Sequence, residues 1–207
     1  MTTQEKNGIT EGVIWKQLLI FFFPILVGSF FQQLYNTVDS VIVGQFVGKE
    51  ALSSVGGSAG QIISLVVGFF TGVSTGATVI ISQYFGAGKK EEIEESLHTA
   101  YAFALVGGLV LGIAGIVFAP QMLRWMNTPE ELIAESVLYV RVYFSGLIFI
   151  FIYNMGAAIL RAVGDSKRPL YYLIVCSVVN IILDLLLILV IPLGVLGAAI
   201  ATLIAQA

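Results

Sequence analysis

Long apolar runs, each broken by a few polar positions, alternate along the chain with short polar segments. A helix needs about 20 apolar residues to cross the hydrocarbon layer of a bilayer. On that measure the runs predict spans at about 14–43, 51–82, 96–119, 132–160, 170–191 and an incomplete sixth at 195–207. Several exceed the minimum, so tilt, kinks or protruding ends are expected. Pro24 is the expected kink of the first span, because it removes an i→i−4 hydrogen bond and its ring clashes with the preceding turn. The fold class is therefore an all-α integral membrane protein, a six-helix bundle whose sixth helix is cut short. Residues 1–13 are read as a polar cytoplasmic segment and 14–207 as one membrane domain. Leu18–Phe31 is followed by Gln32 and Gln33 rather than by a small-residue cleavage site, so it is read as a retained span and not a signal peptide.

Composition agrees. Of the 207 residues, 57% are hydrophobic and 11% charged, with a mean hydropathy of +0.95. Soluble domains carry about 25% charged residues. A net charge of −3 and the absence of a basic patch argue against nucleic acid as a partner. One cysteine, Cys176, and one histidine, His98, exclude a disulfide framework and a Cys/His metal site. The spacing of Gly86-Ala87-Gly88-Lys89-Lys90 is wrong for a phosphate loop, so no cofactor is expected and energy would come from an ion gradient or not at all. Loop charge predicts the orientation. With the N-terminus inside, Lys6, Lys16, Lys89, Lys90, Arg161, Lys167 and Arg168 are cytoplasmic, against Lys49 and Arg124 outside. That places the chain in the cell membrane as a multi-pass protein with its N-terminus in the cytoplasm. The chain stops at Ala207 in mid-hydrophobic run, which leads to the expectation of a second, similar half.

Two aspartates carry the candidate chemistry. A carboxylate in a span costs roughly 2.5–3.5 kcal/mol on insertion scales, and such residues by default mark an ion or substrate path. Gln32, Tyr35, Asn36 and Asp39 share one helix stripe, and Asn180 and Asp184 stack at i,i+4. Asp184 lies seven residues before Ile191 and Thr202 seven after Val195. At 1.5 Å per residue both sit roughly 10 Å below the outer surface, close to the depth of Asp39. A shared cavity in the outer half follows as an expectation. A carboxylate there is a candidate proton carrier, because burial disfavours the ionised form; with Asn and Thr oxygens it is equally a candidate Na⁺ site. The plainer alternative for Asn and Asp is interhelical glue, worth about 0.6 kcal/mol on average. Arg141 falls in the fourth span. Gly68, Gly72 and Gly76, and likewise Gly108 and Gly112, are expected to pack closely against neighbouring helices. His98 is read as interfacial, Cys176 as inert packing, and Lys89 to Glu95 as a solvated helix start.

Several of these segments together resemble the multidrug and toxic compound extrusion (MATE) transporters. The stretch from Pro24 through Gln32-Gln33-Leu34-Tyr35-Asn36-Thr37-Val38-Asp39, then Val43-Gly44 and Gly48-Lys49-Glu50-Ala51-Leu52, resembles the family's first-helix signature. Gly86-Ala87-Gly88-Lys89, Leu160-Arg161-Ala162-Val163-Gly164-Asp165 with Pro169, Asn180 to Asp184, and Gly194 to Thr202 follow in the family's order. The resemblance implies a cation-coupled antiporter, driven by Na⁺ or H⁺, that exports amphipathic, often cationic, compounds. It also implies twelve helices in two lobes, of which this chain is similar to the N-terminal one, the C-terminal lobe being its missing partner. Carried over, Pro24 bends the first helix and Asp39, Asp184, Asn180 and Thr202 form the cation or proton site. Gln32, Tyr35, Asn36, Tyr139 and Asn154 are the matching cavity residues. Two alternatives stay open: a lipid or lipid-linked oligosaccharide flippase of the wider superfamily, and an intramembrane enzyme built on the two aspartates.

Overall fold

A computed structural model describes residues 13–206. The expected cytoplasmic segment, apart from Val13, lies outside the described residues, as does Ala207. The described chain is helical, with no strand. Helix α1 spans Ile14–Ile42 and passes into a π-helical turn, π1, at Val43–Val47. Gly48, at φ 127°, then lets the backbone turn where a side chain would be strained. Helices α2 (Lys49–Gly56) and α3 (Ser58–Gly86) follow, then α4 (Lys90–Trp125). Helices α5 (Glu130–Ser145) and α6 (Leu147–Ala162) meet at Gly146 with a bend of 51°. Helix α7 (Lys167–Asp184) runs into a second π-helical turn, π2 (Leu185–Val190), and α8 spans Val195–Gln206.

Four helical rods among the described residues are long and apolar enough to cross a membrane: Ile14–Val47, Lys49–Gly86, Lys90–Trp125 and Lys167–Val190. The bent α5–α6 pair makes a fifth, and α8 is a shorter apolar helix of the kind expected for the sixth. Each predicted run is thus helical, but four are not single α-helices: the 51–82 run is α2 and α3, separated at Gly57. The 132–160 run is two helices bent at Gly146, and the first and fifth runs each end in a π-helical turn. Helix α1 continues through Pro24 without a break.

The packed core lies among α3, α4, α5 and α6. Phe70 on α3 stacks on Phe151 of α6 with centroids 3.6 Å apart and planes 12° apart, and its centroid lies 6.1 Å from that of Phe103 on α4. Small residues let α4 come this close. A Cβ on Gly108 would lie 2.7 Å from the Ile148 Cα, one on Gly112 would lie 2.9 Å from the Phe144 carbonyl, and one on Gly115 would enter the Phe144 ring. The glycines of α3 do the opposite of what was expected. Gly68, Gly72 and Gly76 have nothing within 4 Å of where a Cβ would stand, because α3 turns its Phe70 and Ile81 face to α4 and α6. Their stripe is open.

Helix α1 stands apart from this core and packs chiefly on α7. Only Pro24, Gly28 and Ile42 of its residues are buried, while Trp15, Leu18, Phe22, Phe23 and Phe30 are exposed. An apolar face of this extent is at home in lipid. The α1–α7 pair and the α3/α5/α6/α8 side enclose the cavity described next.

Candidate functional site

A cavity of about 790 Å³ opens between these two layers. The α1 wall carries Pro24, Gln32, Tyr35, Asn36 and Asp39, on the single stripe that the i, i+3/i+4 spacing requires. Asn180 of α7 stands on the same side, and facing them are Tyr139 and Tyr143 of α5, Tyr153 and Asn154 of α6 and Thr202 of α8. Nine of the ten residues expected at the site therefore border one cavity: Pro24, Gln32, Tyr35, Asn36, Asp39, Tyr139, Asn154, Asn180 and Thr202. The tenth, Asp184, is 0% exposed and does not border it; it sits behind the wall, within electrostatic reach of Asp39.

The common height of the two aspartates comes from the register of α1 on α7. Gly28 lies against Leu170 and Leu173. Asp39 is eleven residues beyond Gly28, and Asp184 eleven beyond Leu173. Both helices therefore rise about 16 Å from that contact to their carboxylates. Just past the acids each helix loosens into its π-helical turn, with Gly48 N–H donating to the Val43 carbonyl at 3.1 Å and Ile191 N–H to that of Leu186 at 3.0 Å. The two turns touch each other. Single π-helical turns occur often at functional sites, since they re-aim the side chains beside them.

Electrostatically the site is unfinished. Asp39 Oδ1, both Asp184 carboxyl oxygens, and both Asn180 amide atoms are buried without a hydrogen-bond partner. The ion pairs among the described residues, Lys89–Glu92 and Arg168–Asp165, lie elsewhere, on exposed or half-buried side chains. Neither aspartate has a cationic partner. Two neighbouring carboxylates cannot both be ionised in a buried site without a balancing charge. A proton on one, or a small cation between them with the Asn180 carbonyl, completes the set chemically.

Among the cavity residues that sequence reasoning missed are Tyr143, Tyr153 and Arg161. The tyrosines give no signal against an aromatic-rich background, and Arg161 reads as loop charge at the end of a span. Cys176, expected to be inert packing, borders the cavity. Arg141 donates from Nε to the Ile116 carbonyl at 3.1 Å and pairs with no carboxylate among the described residues.

The MatE family model matches residues 24–186. A probable multidrug resistance protein, YoeA of Bacillus subtilis, is 34% identical over 99% of this chain, which covers 44% of that protein. A relative named FAD transporter, from Shewanella oneidensis, is 26% identical over 97% of this chain and 45% of its own length. A solved outward-facing multidrug resistance MATE transporter superposes with a TM-score of 0.92 at 27% identity, over 100% of this chain and 45% of that one. The chain thus spans about half the length of the relatives it matches. The family's members are transporters, which removes the intramembrane-enzyme alternative. With the family model covering most of the chain and the fold matching throughout, this protein belongs to the MatE family of multidrug transporters.

Proposed function

We propose that this chain is the N-terminal lobe of a two-lobed, cation-coupled antiporter that exports amphipathic or cationic compounds by alternating access. The observation that carries this reading is the set of unpartnered atoms on Asp39, Asn180 and Asp184 at the edge of a tyrosine-lined cavity. A proton or Na⁺ entering between Asp39 and Asp184 supplies the positive charge that the buried pair lacks. Thr202 borders the same cavity and adds an oxygen ligand. Ion entry draws α1 towards α7, bends it at Pro24, and collapses the cavity so that the drug leaves outward. The ion biases these states only by its differential affinity for them. The lobe lies in the cell membrane with its N-terminus in the cytoplasm.

The test is ethidium and norfloxacin efflux from cells carrying the two-lobed transporter, with the Na⁺ and H⁺ gradients collapsed separately. Loss of efflux with one gradient and not the other names the coupling ion. Efflux that survives collapse of both gradients overturns the coupling. No efflux of either compound under any gradient moves the assignment to the flippase alternative.

A further inference from the structure

Among the described residues, Arg161 is the one cation that borders the large cavity. It stands in the last turn of α6, where a basic side chain ordinarily bonds the terminal carbonyls or a neighbouring acid. It does neither among the described residues. The acid closest in sequence, Asp165, is taken: its carboxylate pairs with Arg168 at 3.1 Å and accepts the amides of Lys167 and Arg168.

Arg161 also borders a second cavity of about 370 Å³ between α1, α3 and α6. Thr71, Ser74, Thr75, Thr78, Ser82 and Asn154 set hydroxyl and amide groups into its wall, which Phe21, Ala158 and Ala162 complete with apolar surface. Thr71 and Thr75 spend their hydroxyl protons on the carbonyls of Val67 and Thr71. Ser74 does not: it is 4% exposed, and its Oγ has no partner. Asn154 donates one amide hydrogen to the Ile150 carbonyl and keeps the other. The free donors at this place are therefore the guanidinium fork, the Ser74 hydroxyl and an Asn154 N–H, and no carboxylate among the described residues borders the smaller cavity. A planar fork with auxiliary donors fits a carboxylate or phosphate in bidentate geometry.

The place lies far from the aspartates. Phe21, three residues before Pro24, shares the smaller cavity with Arg161. Pro24 and Asp39 both border the large one, and their separation along α1 is about 22 Å. The cavity is thus acidic at one end and basic at the other, with Tyr35, Tyr139, Tyr143 and Tyr153 between them.

We propose that Arg161, with Ser74 and Asn154, is an oxyanion subsite that holds the carboxylate or phosphate of a transported amphipathic compound. This assignment rests on the drug-export reading for its occupant.

The test uses the two-lobed transporter in nanodiscs of phosphatidylcholine, with norfloxacin (a zwitterion), its methyl ester and ethidium as probes in equilibrium binding. One charge-assisted contact is worth roughly 1.5–3 kcal/mol, so the protein should bind norfloxacin about tenfold or more tighter than the ester. Arg161→Gln should erase that preference and leave ethidium binding unchanged, and Arg161→Lys should keep part of it. The proposal is overturned if the unsubstituted protein shows no preference, if Arg161→Gln retains it, or if Arg161→Gln weakens all three probes alike. A preference present in phosphatidylcholine and lost in phosphatidylglycerol nanodiscs assigns the subsite to a lipid headgroup, and overturns the transported compound as occupant. Binding needs no ion gradient, so a failure of coupled efflux leaves these outcomes readable.

Discussion

Asp184 is the most demanding residue in the molecule: fully buried, with both oxygens unpartnered and another acid beside it. Replacing either aspartate by asparagine removes a charge without changing shape. Asp39→Asn and Asp184→Asn in the two-lobed transporter should each lower ion-coupled efflux by at least about tenfold, with membrane insertion intact. Thermal unfolding in detergent should shift upward or not at all, because a buried unpaired carboxylate is a liability to the fold. Wild-type efflux from both variants would remove the aspartates from the coupling site. A large drop in unfolding temperature would make them structural instead. These residues were legible in the chain because a carboxylate or carboxamide inside an apolar run is conspicuous, and helical spacing then sorts Gln32, Asn36 and Asp39 onto one face. Arg161 was not, because whether an arginine at a span's end points to water or into a cavity depends on helices far away in sequence.

Elements were legible in number and order, but not in their interruptions. Hydropathy registers the apolar run from 132 to 160 and is blind to the 51° bend at Gly146, which a lone glycine permits and packing against α4 and α8 decides. The π-helical turns after Asp39 and Asp184 are equally silent, since one extra residue in a turn leaves the hydrophobic pattern intact. The glycine motifs make the clearest case: the same spacing is filled by Ile148 and Phe144 on α4 and faces open space on α3. Substitution should separate the two. Gly108→Ala puts a methyl group into the Ile148 backbone and should cost about 1–3 kcal/mol of stability. Gly72→Ala meets nothing and should stabilise the helix by up to about 1 kcal/mol. Thermal unfolding of the purified chain in detergent reads both, and a destabilising Gly72→Ala would place an unseen neighbour on α3 within the chain itself.

At the scale of the whole molecule, the path of the chain fixes which loops share an end, whichever way the lobe sits in the bilayer. Following the rods up and down puts Lys49 and Glu130 at one end, and Lys89 and Lys167 at the other. All four side chains are exposed. The second end also carries Lys90, Arg161 and Arg168, an excess of positive charge that the proposed orientation puts on the cytoplasmic side. In a transporter with Cys176→Ser as background, a membrane-impermeant maleimide added to intact cells should label Lys49→Cys and Glu130→Cys. It should reach Lys89→Cys and Lys167→Cys only after permeabilisation. The inverted pattern would put the aspartate end of the cavity in the cytoplasm, so that ion entry from outside would have to pass the Arg161 end first. Mixed labelling within either pair would break the rod order itself. The expected pattern leaves the aspartate pair in the outer half, where an inward ion gradient reaches it before the cytoplasm does, and that order is what an antiporter needs to expel its cargo.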